Sequence, residues 1–193
     1  MKKSTERVYV ITGPAGVGKT TVANYLCRHF GLHRVVTHTT RPPRPGEQNG
    51  VDYYFETPAT MKKRSLLEKV DYDHHQYGSS REGLAAGWQE RHNNVIVLDT
   101  VGAATYRQKL GEQAVVIYLT VSMLDALAKR IQARGDRKRD IKSRLTAREN
   151  QRDSALPDEL RQSAFVVVND YWPKTKRRLN RLMASFGERA KNL

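Results

Sequence analysis

Cysteine is nearly absent from this chain: Cys27 stands alone among 193 residues. That excludes an intrachain disulfide and a cysteine-based zinc site, and it suits a reducing compartment. No apolar run approaches the roughly 18 residues of a membrane-spanning helix. The chain begins with Lys2 and Lys3 but without a continuous apolar stretch, so it does not read as a secretory signal, and a cytoplasmic location is the expectation. Acidic charge is scarce as well. Asp and Glu number 20 against 34 Lys and Arg, a formal net charge of +14. Such an excess suits a polyanionic partner, either nucleic acid or small phosphorylated ligands gathered by converging arginines. No helix-turn-helix, zinc-finger or RNA-binding signature is present, which weighs against nucleic acid. The histidines, including His74 and His75, lack metal-ligand spacing with cysteine or acidic partners and read as surface or loop residues.

What is present is enough for a folded core: 38% hydrophobic and 28% charged residues, at the size of one domain with an inserted piece. Arg7 to Thr12 reads as a short buried strand. A helical stretch follows the glycines after it, with Val22, Tyr25, Leu26, Cys27, His29 and Phe30 available for packing and Gly31 as its cap. Arg34 to Thr37 is a second short strand. The proline-rich run from Thr39 to Gly50 cannot be a helix, and Asn49-Gly50 is a turn signal before a strand-like VDYYFE. Residues 57–92 are polar and weakly periodic, and read as helices around 59–70 and 80–91 with a loop between.

Continuous apolar runs return at Asn94 to Asp99, Ala114 to Thr120 and Phe165 to Asn169. A helix begins near Gly102, Ser122 can cap another, a basic loop GDRKRD precedes a helix over Ile141 to Asp153, and a basic helix ends the chain. Buried strands separated by helices predict an α/β fold, with a parallel sheet covered on both faces. Ligands of such sheets sit beyond the carboxyl ends of the strands, where Gly13, Asp99 and Asn169 all fall.

The run Gly13-Pro14-Ala15-Gly16-Val17-Gly18-Lys19-Thr20 fits the P-loop pattern. Its glycines let backbone N–H groups turn toward phosphate oxygens, and the following helix adds its positive end. Lys19 is placed to reach the transferred phosphate and the Thr20 hydroxyl to ligate Mg²⁺. A second constellation is TTRPPRPGE, in which Arg41 and Arg44, stiffened by flanking prolines, form a fork for a phosphate.

With NGVDYYF, YGSS, the strand ending in Asp99, the arginines near 134 and VVVND, this segment resembles the guanylate kinases over most of the chain. The resemblance implies a P-loop NTPase-type sheet, with one domain over 1–193. Its core would span about 1–36 and 93–193, with a lid at about 134–142 and an acceptor-binding insertion at about 37–92. It implies ATP-dependent phosphorylation of GMP, and of dGMP, with Mg²⁺ accompanying ATP. ATP would be held by Gly13 through Thr21, Arg130, Arg134 and Asn169. Arg41, Arg44, Tyr53 and Tyr77 would hold the GMP phosphate, Thr37, Glu68 and Ser79 would face guanine, Asp99 would touch the guanine amino group or the Mg²⁺ water shell, and Glu47 would orient its loop. Lys19, Arg41, Arg134 and Arg144 would screen the transferred group. Val97 stands where the family commonly has a further acid. A same-fold kinase with another phosphorylated acceptor and a non-catalytic binding domain are the alternative readings, and intact Lys19 and Thr20 argue against the second.

Overall fold

The protein is described here from a computed structural model covering residues 6–72, 74–90, 93–123, 126–127, 130–131 and 148–191. In chain order the strands are β1 (Val8–Thr12), β2 (His33–Arg34), β3 (Thr37–Thr39), β4 (Tyr53–Phe55), β5 (Leu66–Tyr72), β6 (His75–Ser80), β7 (Asn94–Val97), β8 (Ala114–Thr120) and β9 (Phe165–Val168). The helices are α1 (Lys19–Phe30), α2 (Pro58–Met61), α3 (Arg81–Gln89), α4 (Thr100–Leu110), α5 (Arg148–Asp153), α6 (Asp158–Arg161) and α7 (Trp172–Ser185). The expected lid at 134–142, with Arg134 and Arg144, lies outside the described residues.

Five strands form one parallel sheet in the order β2-β7-β1-β8-β9. β1 is central and every one of its residues is buried, as a strand covered on both faces requires. Side chains alternate along it. Tyr9 and Ile11 pack with Val22, Ala23 and Leu26 of α1 and with Leu179 and Met183 of α7. Val8 and Val10 pack on the other face with Leu84 of α3, Ala103 and Tyr106 of α4, and Leu160 of α6. Two apolar cores thus sandwich the sheet. Gly31 ends α1 as expected, in the left-handed conformation (φ 72°) with its N–H donated to Cys27 O.

A second sheet has the order β4-β3-β6-β5. β3 and β4 are parallel, while β3–β6 and β5–β6 are antiparallel. This corrects the reading of 59–70 as a helix followed by a loop. Only Pro58–Met61 is helical, and Leu66–Ser80 is mostly a hairpin. Residues 68, 70 and 72 of β5 share one face and all line a ligand-sized cavity. A glutamate in the middle of that face and Leu67 on the opposite one break the two-residue alternation that marks a half-buried strand. His38 corrects a second expectation. It is 4% exposed, stacks on Tyr54, and its Nδ1 lies 2.9 Å from Glu56 Oε1. Despite burial, contacts from Thr60, Arg64 and His38 hold the Glu56 carboxyl down at about 2. Ser122 donates its hydroxyl to Asp170. Among the described residues no helix is long and apolar enough to cross a membrane.

Candidate active site

The turn from β1 into α1 works only with bare backbone. Gly13 (φ 131°) and Gly18 (φ 99°) occupy conformations that side chains avoid. A Cβ on Gly13 would stand 2.3 Å from Leu119 O, and one on Gly18 2.6 Å from the Asn169 amide nitrogen. That amide secures the loop, donating to Val17 O at 2.7 Å while its oxygen accepts from the Thr175 hydroxyl. A second support comes from α5, where Asn150 Oδ1 accepts the Ala15 N–H at 2.7 Å. No side chain caps α1, so its first-turn N–H groups remain available to an anion. Lys19 Nζ donates to Gly13 O (2.6 Å) and Pro14 O (3.0 Å). Gly13, Pro14 and Val17 form the loop's frame, whereas Ala15, Gly16, Gly18, Lys19, Thr20 and Thr21 line a cavity of about 540 Å³.

The cavity runs from this loop to the second sheet, where Thr37, Arg44, Tyr53, Glu68, Tyr77 and Asp99 line it. Arg130 and Asn169 line it near the P-loop, with Arg130 donating to Asn169 O at 2.8 Å. Three expected residues stand behind the wall instead. Arg41 is buried, donates to both Glu47 carboxylate oxygens at 2.9 Å, and lies 5.3 Å from the Tyr53 ring centroid. Glu47 also accepts the Arg44 N–H at 2.8 Å, so one carboxylate ties the two arginines of the fork. Burial opposes the charge, yet the Arg44 N–H and the Arg41 guanidinium hold the Glu47 carboxyl below its ordinary value. Ser79 is fully buried, pairs with Glu68 across β5–β6, and accepts the Tyr106 hydroxyl at 2.8 Å. Burial raises the Tyr53 phenol above its ordinary pKa, with Tyr77 adding to the shift.

The acids of the site are unequal. Asp99 caps α4, its Oδ1 accepting the Gly102 N–H at 2.7 Å, and its Oδ2 accepts from Arg152 at 2.5 Å. Burial and the neighbouring Asp153 raise its pKa, against the Gly102 N–H and Arg152. Glu68 is 5% exposed, and among the described residues neither of its carboxylate oxygens accepts a well-formed hydrogen bond. Burial pushes it up to about 7, Asp99 adds to the shift, and the nearby Ser79 and Lys109 only partly offset it. A buried acceptor pair without donors is expensive, and a ligand bringing two N–H groups would relieve it. Gly102 leaves room for both acids: a Cβ there would meet Asp99 Oδ1 at 3.1 Å and Glu68 Oε2 at 3.3 Å.

Several lining residues escape sequence reasoning: Val70, Tyr72, Asp153 and Trp172, whereas Asp170 lines the cavity beside Asn169 in the turn that the resemblance singles out. The signal for Val70 and Tyr72 was their even spacing from Glu68. Asn150 and Arg152 carry no motif signal either. α5 uses them to touch the P-loop and Asp99 together, a contact no local pattern announces. The oxygen-donor chemistry fits magnesium. Thr20 presents an exposed hydroxyl in the cavity, and among the described residues no cluster of three His, Cys, Asp or Glu could form an all-protein cage.

Comparison with known proteins points to one family. The Guanylate kinase family model matches residues 5–186. The chain is 39% identical over 171 residues to a guanylate kinase of Neisseria gonorrhoeae, covering 84% of this chain and 80% of that one. It is 36% identical over 183 residues to a guanylate kinase of Synechococcus, covering 92% and 82%. Among solved structures, guanylate kinase from Anaplasma phagocytophilum superposes with a TM-score of 0.71 at 24% identity, over 96% of this chain and 88% of that one. A sugar kinase from Janibacter superposes with a TM-score of 0.51 at 15% identity, over 93% of each chain. These two likenesses speak for the fold alone.

Proposed function

The chain belongs to the guanylate kinase family, and from that premise we propose that it transfers the terminal phosphoryl group of ATP to GMP, giving ADP and GDP. The observation that carries this reading is a continuous cavity that joins a P-loop at one end to a buried, donor-seeking carboxylate at the other. Guanine offers adjacent N–H groups to Glu68; adenine places different groups there, leaving the acid unpaired.

The reaction needs no covalent intermediate and no general base, because the acceptor phosphate is already a nucleophile. An oxygen of the GMP phosphate forms a bond to the terminal phosphorus of ATP, while the bond from that phosphorus to the β–γ bridging oxygen breaks. The protein's task is to align two mutually repelling anions, screen them and exclude water. Arg44 would meet the GMP phosphate in the cavity with the hydroxyls of Tyr53 and Tyr77. Arg41 supports that end from behind through Glu47, and would reach the phosphate if the loop shifts on binding. Thr37, Asp99 and, through Glu68, Ser79 would complete the base end. The P-loop N–H groups and Lys19 would hold the ATP phosphates, with Arg130 and Asn169 beside them. Lys19 would leave its backbone acceptors for the transferred group, with the lid arginines Arg134 and Arg144 closing over it. Thr20 would ligate magnesium, which supplies charge neutralisation at the phosphates when bound. In this reading residues of about 37–92 form the acceptor-binding piece and about 134–142 the lid, both moving on binding.

Lys19→Ala is the direct test. Turnover with MgATP and GMP should fall by at least about 10²–10³-fold, with the circular-dichroism spectrum unchanged. Near-normal turnover in the folded variant would contradict the mechanism.

A further inference from the structure

α7 has two unlike faces. Thr175, Leu179 and Met183 are buried, with Trp172 and Leu182 packed on the same core. Outward stand Lys174, Arg177, Arg178 and Arg181, all exposed, spaced so that each lies three or four residues from another along one face. They line a shallow groove separate from the catalytic cavity, and none of them lines that cavity. No acid occurs between Trp172 and Ser185. Among the described residues none of the four forms an ion pair, and Asp170, just before the helix, is engaged by Ser122. Like charges at these spacings repel and weaken a helix, although Lys174 joins the Ser122 hydrogen bonds and Arg130 in holding the Asp170 carboxyl below its ordinary value. Tyr171, immediately before the helix and in extended backbone, is an exposed aromatic next to the row, 64% exposed.

We propose that this face of α7 is a binding surface for single-stranded RNA, its phosphates held by Lys174, Arg177, Arg178 and Arg181 and one base stacked on Tyr171. Three of the four cations are arginines, whose planar forks suit phosphate. A cationic groove with an aromatic at its end is how single strands are held without sequence preference. A membrane surface fits less well. Helices that lie in bilayers insert an apolar face, and that of α7 is buried in the protein's own core. The row from Lys174 to Arg181 spans about 10 Å at about 1.5 Å per residue, and with long side chains reaching past both ends its four cations meet about three phosphates.

The test is fluorescence anisotropy of a labelled 20-nucleotide single-stranded RNA with the full chain. Affinity should fall about 20-fold between 50 and 200 mM salt, the slope expected for about three neutralised phosphates. Arg177→Glu/Arg181→Glu should weaken binding at least 10-fold and leave GMP phosphorylation unchanged. Lys62→Glu/Lys63→Glu, an equal change of net charge on residues elsewhere, should leave binding within about twofold. Tyr171→Ala should weaken it about fivefold or more. Should the double glutamate variant misfold, Arg177→Gln/Arg181→Gln serves in its place. Equal loss in both charge-altered variants would assign the binding to diffuse net charge and overturn the proposal. So would absence of binding at 50 mM salt, or binding to phosphatidylserine vesicles without binding to RNA.

Discussion

Glu68→Gln separates what this residue does for recognition from what it costs the fold. Burial holds the Glu68 carboxyl near 7, against 4.5 for an exposed glutamate. The native state therefore keeps a proton that the unfolded chain has already released. Between those two values the folded protein binds more protons than the unfolded one, so stability falls as pH rises from about 4.5 to about 7 and is level above. At about 1.4 kcal/mol per pH unit the total loss is about 3 kcal/mol. A glutamine side chain keeps the shape and cannot ionise. The Glu68→Gln variant should match the parent at pH 4.5 and exceed it by up to about 3 kcal/mol at pH 8, or roughly 6–12 °C in Tm for a domain of this size. Recognition runs the other way. If only the ionised acid accepts guanine, about a tenth of the protein is competent at pH 6 and about nine-tenths at pH 8, so GMP affinity should rise about tenfold across that range. The acceptor phosphate itself titrates near pH 6. The Glu68→Gln variant retains that contribution, and the difference between the two proteins isolates Glu68. Calorimetric titration of GMP and thermal melts at pH 4.5–8 provide both readouts. Parallel stability curves together with parallel affinity curves would refute the reasoning.

Gly102→Ala should separate binding from stability. Alanine favours the helix by about 1 kcal/mol over glycine, while its Cβ crowds Asp99 Oδ1 and Glu68 Oε2. The melting temperature should move by only a few degrees and the KM for GMP should rise about 3–10-fold, measured in steady-state assays. Asn150→Ala leaves the Ala15 N–H of the P-loop without its acceptor. The KM for ATP should rise about 5–30-fold, in line with about 1–2 kcal/mol for an unsatisfied buried donor. The KM for GMP should stay put.

The large sheet was legible because its strands are buried on both faces and read as unbroken apolar runs, Val8–Thr12 and Ala114–Thr120 above all. The P-loop was legible because its chemistry demands glycines at fixed spacing, and Gly13 and Gly18 adopt backbone angles that explain them. The acceptor side was harder. Its residues follow from the resemblance, but β5 carries a helix-like pattern because its inward face is itself a binding surface. Leu66-Leu67 followed by Glu68-Lys69 interrupts the alternation, which leaves only Val70 and Tyr72 against Lys69 and Asp71 to mark the strand. His38 was read as exposed because only the fold brings Glu56 to it, eighteen residues away. Asn150 and Arg152 were invisible for the same reason: their partners, Ala15 and Asp99, lie 135 and 53 residues distant. Periodicity and motif spacing report neighbours within an element and cannot report a contact between elements so far apart.

The central claim is that one cavity joins ATP to a guanine nucleotide selected by a buried acid. Its most direct measurement is ADP release in a coupled assay, with MgATP and GMP, dGMP, AMP, CMP or UMP supplied in turn. Turnover confined to GMP and dGMP is the expected result. Comparable turnover with AMP, or none with any of the five, would contradict it.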